Sequence, residues 1–514
     1  MRRRMIVIGA IITIVLALAG CGERHVGNQD LGEMTLGSLA DKRIGILTGS
    51  AGDGAARQRF PRAQIFDHDN IINATSALRS NKIDAVVYER AALQEIAGKN
   101  PDLAVLEAPV QFVDVAIAIK KGNPLLLKAV NQVIDDLESD GILDDMKKRW
   151  FVDGALPAMP EFDPPSSRET LQVGTEALMP PFEFVDQGNQ ISGFDMELTA
   201  RIGQALGKKV VVSNMNFPAL IPSLQSGKID LAISCFNVTE ERKKSVDFSR
   251  PYHAGDIAAM VRKPAEGLLP GDICNNLKTS FHNNIIKEQR YLLIAGGLKI
   301  TAVISVFSVL LGTLLGALIC LARMSKNRIL GAAARVYISI LRGVPLLVLL
   351  MLIFYVVFAS VNINPVTVAV IAFGMNFAAY VSEMFRAAIE SIDKGQKEAG
   401  IAAGFTACQT FFYIIMPQAA RRVLPVYKGE FISLVKMTSV VGYIAVQDLT
   451  KAGDIIRSRT FDAFFPLVMV ALLYFVISWM LAMALNFAGS KTDPQRNRRR
   501  GVSMVSRVSR GRGC

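Results

Sequence analysis

Two textures of hydrophobicity divide the chain. Up to about Pro264, apolar residues come in runs of roughly five, such as RIGIL at 43–47, DAVVY at 84–88, LQVGT at 171–175, KVVVS at 209–213 and DLAIS at 230–234. Longer helical stretches alternate with them, Pro124 to Trp150 being the clearest. Short apolar runs bounded by turn residues and interleaved with helices predict α/β layers. From Ala295 to Ala488 the apolar runs instead reach the roughly 20 residues needed to cross a bilayer. Five spans are predicted there: Thr301–Ala322, Ile340–Val361, Val366–Ile389, Val426–Val446 and Phe465–Phe487.

At 514 residues the chain exceeds one compact core, so several units are expected. The start, Arg2-Arg3-Arg4, an apolar run from Met5 to Leu18 and then Ala19-Gly20-Cys21, has the three parts of a secretory signal. Its end resembles a bacterial lipobox, which implies lipid on Cys21. An uncleaved signal anchor is the alternative. The six cysteines form neither CxxC pairs nor a disulfide framework, so no metal site is predicted. The net charge of +12 raises nucleic acid as a partner, but the excess sits in the tail between Lys491 and Arg512, after the last span. Basic residues flanking a span mark its cytoplasmic side. No nucleic acid is therefore expected. The loops 323–335 and 386–422, rich in Lys and Arg, are predicted cytoplasmic as well. Lys451, Arg457 and Arg459, in the opposite loop after Val446, run against that rule.

The boundaries expected are 1–21 signal, 22–38 tether, 39–263 soluble domain, 264–290 linker, 291–489 membrane domain and 490–514 basic cytoplasmic tail. Within the soluble domain, Pro157, Pro160, Pro164 and Pro165 mark a linker at 152–169 between the stretches 39–151 and 170–263.

The second stretch resembles the first lobe of the family 3 extracellular solute-binding proteins. VGTEALMPPFEF, ISGFDMELTARIGQALGKKV, LIPSLQSGKIDLAIS and VTEERKKSVDFSRPY carry the likeness. The first stretch resembles that family's other lobe and closing helices, through LADKRIGILTGSAGD, LRSNKIDAVVYER and the run ending in KKRWF. Each segment occurs once and their order is rotated, which implies one circularly permuted, two-lobed α/β binding domain of the type II periplasmic class. A truncated second domain beside an incomplete first is the alternative. It would leave apolar faces uncovered.

The resemblance implies a polar amino acid as ligand. A zwitterion needs a planar cation for its carboxylate and an acceptor for its ammonium. Arg242 matches the family's carboxylate-binding arginine; read without the family, it is an exposed arginine in a charged helix start. Ser234 and Asn237 match lobe-one polar contacts. Gly49 and Ser50 fall where lobe two presents a helix N-terminus. Glu89 stands where the family carries an ammonium-binding aspartate, and is otherwise a surface glutamate. Phe217 fits the aromatic wall, with Glu176 near it, while Met179 replaces a common aromatic.

The run EAGIAAGFTACQTFFYIIMPQAAR resembles the EAA loop of bacterial ABC permeases at Glu398, Ala399, Gly404, Ile414 and Pro417, with Gly400 in place of the usual alanine. LRGVPLLVLL, AAYVSEMFRAAIESIDKGQ, FISLVKMTSVVGYIAVQDLT and AGDIIRSRTFDAF extend the likeness to the histidine, glutamine and arginine permeases. It implies an all-α permease domain of the type I importer class whose loop contacts an ATPase. No GxxxxGK[ST] phosphate loop occurs in the sequence, so the chain is expected to be a transporter subunit with no catalytic residues or cofactor of its own. ATP would be used by a separate ATPase dimer beneath a homodimer of this chain in the bacterial inner membrane. A ligand-gated channel of the ionotropic glutamate receptor type is the competing reading. It would place its pore segment between the lobes and has no reason for an EAA loop. A binding-fold dehydratase would need a proton-transfer group, and His25, His68, His253 and His282 form no motif.

Overall fold

A computed structural model describes residues 35–151, 157–162, 169–263, 280–359, 361, 363–460, 462 and 464–491. The expected signal with Cys21, most of the two linkers and the basic tail lie outside these residues. Fourteen strands are formed among the described residues: β1 (Arg43–Leu47), β2 (Gln64–His68), β3 (Ala85–Glu89), β4 (Leu103–Val105), β5 (Gln111–Val115), β6 (Ala118–Lys120), β7 (Thr170–Thr175), β8 (Leu178–Met179), β9 (Glu183–Val185), β10 (Ile191–Ser192), β11 (Lys209–Asn214), β12 (Leu231–Ala232), β13 (Val246–Phe248) and β14 (His253–Arg262).

The chain divides into two compact units. The first contains the described residues up to Ala116, Cys235–Glu240 and the described residues from Pro251 to Lys263. Its sheet runs β2-β1-β3-β14-β4, with β5 also on β14. β1 is parallel to β2 and β3, and β14 is antiparallel to β3 from Ile257↔Glu89 to Val261↔Ala85. β3 is buried throughout, as an apolar strand covered on both faces must be. The helix Ala51–Arg59 packs so closely on it that a Cβ on Gly52 would lie 2.5 Å from the Val87 carbonyl oxygen.

The second unit contains the described residues of Ile117–Ser234, Glu241–Arg250 and the described residues from Ser280 on. Its main sheet runs β11-β7-β12-β6-β13, with β7 and β11 parallel over six residue pairs, and β8, β9 and β10 form a small antiparallel sheet. The pairings divide the soluble stretches differently from a boundary at 152–169. β6 and the helices Pro124–Ser139 and Ile142–Phe151 belong with the second unit, and β14 with the first, because each sheet takes its antiparallel strand from the other half of the sequence. The helix Ile142–Phe151 is fixed by Glu197, whose fully buried carboxylate accepts from Arg149 (2.8 Å), Trp150 Nε1 (2.8 Å) and Arg201 (2.8 Å).

The same unit contains the helical region. Among the described residues three helices, Tyr291–Met324, Pro365–Glu390 and Phe465–Lys491, are long and apolar enough to cross a membrane, and up to five spans result there if each of two bent pairs counts as one. Tyr291–Met324 and Pro365–Glu390 approach through small residues: a Cβ on Gly312 would lie 2.7 Å from the Gly374 carbonyl oxygen, and one on Gly316 3.0 Å from that of Ala378. The expected span Ile340–Val361 is broken. Arg328–Gly343 ends at an extended Val344, and the chain turns by 109° into Leu346–Val357. Pro345 causes the break, since proline lacks an N–H and drives the preceding residue out of the helical region. The expected span Val426–Val446 is the end of Met416–Met437 followed by a 3-10 turn, Thr438–Ile444, and Ala445 at φ +60°. What was expected as a loop after Val446 is the helix Leu449–Thr460.

Candidate functional site

In the second unit, four of the predicted binding residues form one linked, buried group. Glu176 follows β7, and its backbone N–H donates to the Ser234 hydroxyl (3.2 Å), which donates to Glu183 Oε1 (2.9 Å). The Phe217 backbone N–H bonds the Glu176 carboxylate. The ring of Phe217 lies under Arg242, whose guanidinium carbon is 5.3 Å from the ring centroid, within cation–π range. Arg242 is 7% exposed while its neighbours Glu240, Lys243 and Lys244 are exposed. A solvated helix face would treat all four alike.

Burial raises the Glu176 carboxyl above its ordinary value, with the nearby Lys451 ammonium opposing the shift. Glu183 is pushed well above the usual range, first by burial and then by the charge and hydrogen bond of Asp195. Both side chains are inaccessible, and two carboxyls in contact away from water share a proton rather than both ionise. Ser234 therefore orients Glu176 and is itself held by this acid pair.

In the first unit, Gly49 adopts φ +71°, a conformation that glycine takes without strain. Ser50 caps the helix Ala51–Arg59 by accepting from Asp53 N–H (3.3 Å). Glu89 ends β3 and is 4% exposed, which excludes a surface glutamate. Asn237 belongs to this unit rather than to that of Ser234, bridging Val115 through the backbone.

Sequence reasoning also missed Lys451 and Asn216, which join the second unit's group, and Tyr355, which bonds the same lobe at Ser223. Lys451, on the helix Leu449–Thr460, is 3% exposed and places Nζ 3.0 Å from Asn216 Oδ1 and 3.7 Å from Glu176 Oε1. Asn216 N–H donates to the Gly442 carbonyl (3.3 Å). Tyr355 OH donates to the Tyr443 carbonyl (2.6 Å) and receives the Ser223 hydroxyl (3.1 Å). The only signal for any of them was the positive charge of Lys451 in a segment where the positive-inside rule disfavours it.

The residues expected to form the coupling loop occupy a compact hairpin. The helix Lys394–Ala402, capped by Asp393, carries Glu398 and Ala399 on its exposed side and ends at Gly404 with φ +85°. Ile414 lies in the next turn and Pro417 opens Met416–Met437. Gly400 faces inward, where a Cβ would lie 2.6 Å from Thr410 Cγ2 and 2.9 Å from Ile414 Cδ1. That contact gives a packing reason for glycine where the family has alanine.

An α/β binding fold joined to membrane-length helices in one polypeptide defines a membrane protein with its own ligand-binding domain. Residues 171–436 match the family "Bacterial extracellular solute-binding proteins, family 3". The chain is 36% identical over 219 residues to the L-cystine transport system permease protein TcyB of Bacillus subtilis, covering 42% of this chain and 94% of that one. It is also 36% identical over 196 residues to the glutamine transport system permease protein GlnP of Escherichia coli, covering 38% of this chain and 90% of that protein. A solved amino acid ABC transporter with histidines is 33% identical, with a TM-score of 0.38, over 43% of this chain and 100% of the other. The chain belongs to the permeases of amino acid ABC transporters and carries, fused to the permease region, a solute-binding domain of family 3. Such permeases are energised by an ATPase partner and are not ATPases themselves.

Proposed function

We propose that this chain captures a polar amino acid and delivers it through its own helices into the cell. The carrying observation is the buried set Glu176, Phe217 and Arg242, on a lobe whose Asn216 and Ser223 bond directly to helices of the permease region. Arg242 takes the ligand's carboxylate through its planar fork. Phe217 walls the side chain and Ser234 fixes Glu176. Gly49, Ser50, Glu89 and Asn237 are the first unit's candidates, on the strength of the family resemblance. The strand exchange between the two sheets supports a circularly permuted domain.

Two copies of this chain stand on two ATPase subunits in the bacterial inner membrane, the binding domain outside and the basic tail inside. Cys21 carries the lipid anchor. Glu398, Ala399, Gly404, Ile414 and Pro417 meet the ATPase, supported by the exposure of Glu398, Ala399 and the neighbouring apolar Ile401 and Phe405. The test is calorimetry of the purified full-length chain against the twenty L-amino acids, repeated with Arg242→Ala. Loss of a charge-assisted contact, about 1.5–3 kcal/mol, should weaken binding roughly tenfold or more. Wild-type affinity in a folded variant removes Arg242 from the site.

A further inference from the structure

A lysine shut away from water is unusual without a reason. Lys451 is also far in sequence from the carboxylate it meets, Glu176, so the pair exists only where the binding lobe and the permease helices come together. Its position is set from the permease side. The Lys451 backbone N–H donates to Asp448 Oδ1 (3.0 Å), and the Leu449 N–H, two residues earlier, donates to Thr301 Oγ1 (3.3 Å) on the helix Tyr291–Met324. A Cβ on Gly297 of that helix would lie 2.6 Å from the Asp448 carbonyl oxygen, so the two elements are in direct contact. From this support the side chain reaches the lobe, where its ammonium donates to Asn216 Oδ1 (3.0 Å) and forms an ion pair with Glu176 Oε1 (3.7 Å).

We propose that Lys451 is a built-in competitor for the ligand: its ammonium occupies, at Glu176, the place of a positively charged group of the amino acid. The inference rests on Glu176 belonging to the ligand site. A ligand cation within hydrogen-bonding reach of Glu176 would sit within a few ångströms of Lys451 Nζ, and two like charges so close in a dry site exclude each other. Contact between lobe and helices thus lowers affinity for the ligand at the place where it must be handed over. Separation withdraws the lysine and restores the site. By linkage, the ligand in turn weakens that contact.

Either the ligand's α-ammonium or a cationic side chain could be the displaced group, and titration distinguishes them. The full-length chain in lipid nanodiscs is titrated with each of the twenty L-amino acids as wild type, Lys451→Met, Lys451→Gln and Lys451→Arg. Gln keeps an amide donor for Asn216 and guards against failure of the Met variant to fold. The expected result is binding about 10- to 100-fold tighter in the Met and Gln variants, with Arg, which keeps the charge, close to wild type. Tightening of every amino acid that binds assigns the α-ammonium, and tightening of lysine and arginine alone assigns the side chain. Unchanged or weaker binding in both Met and Gln overturns the proposal while leaving the binding function intact. Absence of binding by any amino acid to any form rejects the ligand site itself, and the competitor with it.

Discussion

Glu197→Gln tests what holds the closing helix in place. The Glu197 carboxylate has no solvent exposure and receives four side-chain donors: Arg149, Trp150 and two nitrogens of Arg201. Glutamine keeps the shape but removes the charge and turns an amide N–H₂ toward cations. Breaking a fully buried ion pair costs about 3–5 kcal/mol. Here the arginine side chains are 28% and 23% exposed and recover some hydration, so a loss of about 2–3 kcal/mol is the reasoned figure. The chain has two tryptophans, and a Trp479→Phe background leaves Trp150, itself bonded to Glu197, as the single fluorescent reporter. Urea titration of the full-length chain in detergent then reads the local transition. The pH dependence has a definite sign. Burial opposes ionisation of Glu197, but the Arg149, Trp150 and Arg201 donors outweigh it and hold the carboxyl below its ordinary value. Its contribution is therefore present above the unfolded carboxylate range and is lost as pH falls through the folded value. The gap between wild type and variant should shrink on acidification. A variant within about 0.5 kcal/mol of wild type at neutral pH, or a gap that widens toward acid, would refute this account.

Two further outcomes are expected. Glu398→Lys should leave amino acid binding unchanged but abolish ligand-stimulated ATP hydrolysis by the reconstituted complex, because it reverses a charge on an exposed helix face; normal stimulation would show that this face is not the contact. Gly193→Ala should reduce folded yield sharply, since Gly193 has φ +132° and an added Cβ would lie 2.1 Å from the Phe182 carbonyl oxygen. A loss above about 4 kcal/mol is anticipated, from strain and overlap together, and size-exclusion profiles with near-wild-type yield would count against it.

Where pattern and local chemistry agree, the sequence was legible. The five-residue runs at β1, β3 and β7 are strands, and the near-continuous apolar character of β1 and β3 matches their burial. Arg242, Phe217, Glu176 and Ser234, separated by up to 66 positions, could be grouped only through a family likeness, because no spacing rule joins residues on different strands and turns. Three of the five expected spans lie in single helices, and Ile340–Val361 failed for a nameable reason. Hydropathy averaged over a window does not register Pro345, whose effect is geometric and confined to one peptide. Asp195 and Glu183 were likewise passed over, since an acid within an apolar run announces burial but not its partner.

The charges that run against the positive-inside rule show where counting loop residues loses information. Arg459 donates from Nε to the Val185 carbonyl (2.7 Å) and from a terminal nitrogen to Asn189 Oδ1 (3.1 Å), and Lys451 is spent on Asn216 and Glu176. Each is engaged with the binding lobe rather than with water, so neither is free to act as a topological signal. The lobe reciprocates. Lys228 donates to the carbonyls of Phe358 and Val361 (2.6 Å to the latter), just past the end of Leu346–Val357. Both carbonyls also accept backbone N–H groups, Phe358 from Val361 (3.2 Å) and Val361 from Ile363 (3.0 Å), and the helix end carries partial negative charge that the lysine ammonium complements. Pro345 shortened that helix, and the carbonyls at its far end are met by a residue of the binding lobe. The lobe therefore adds a favourable charge at the helix end, and separation of lobe and helix forgoes that contribution while the carbonyls keep their backbone partners.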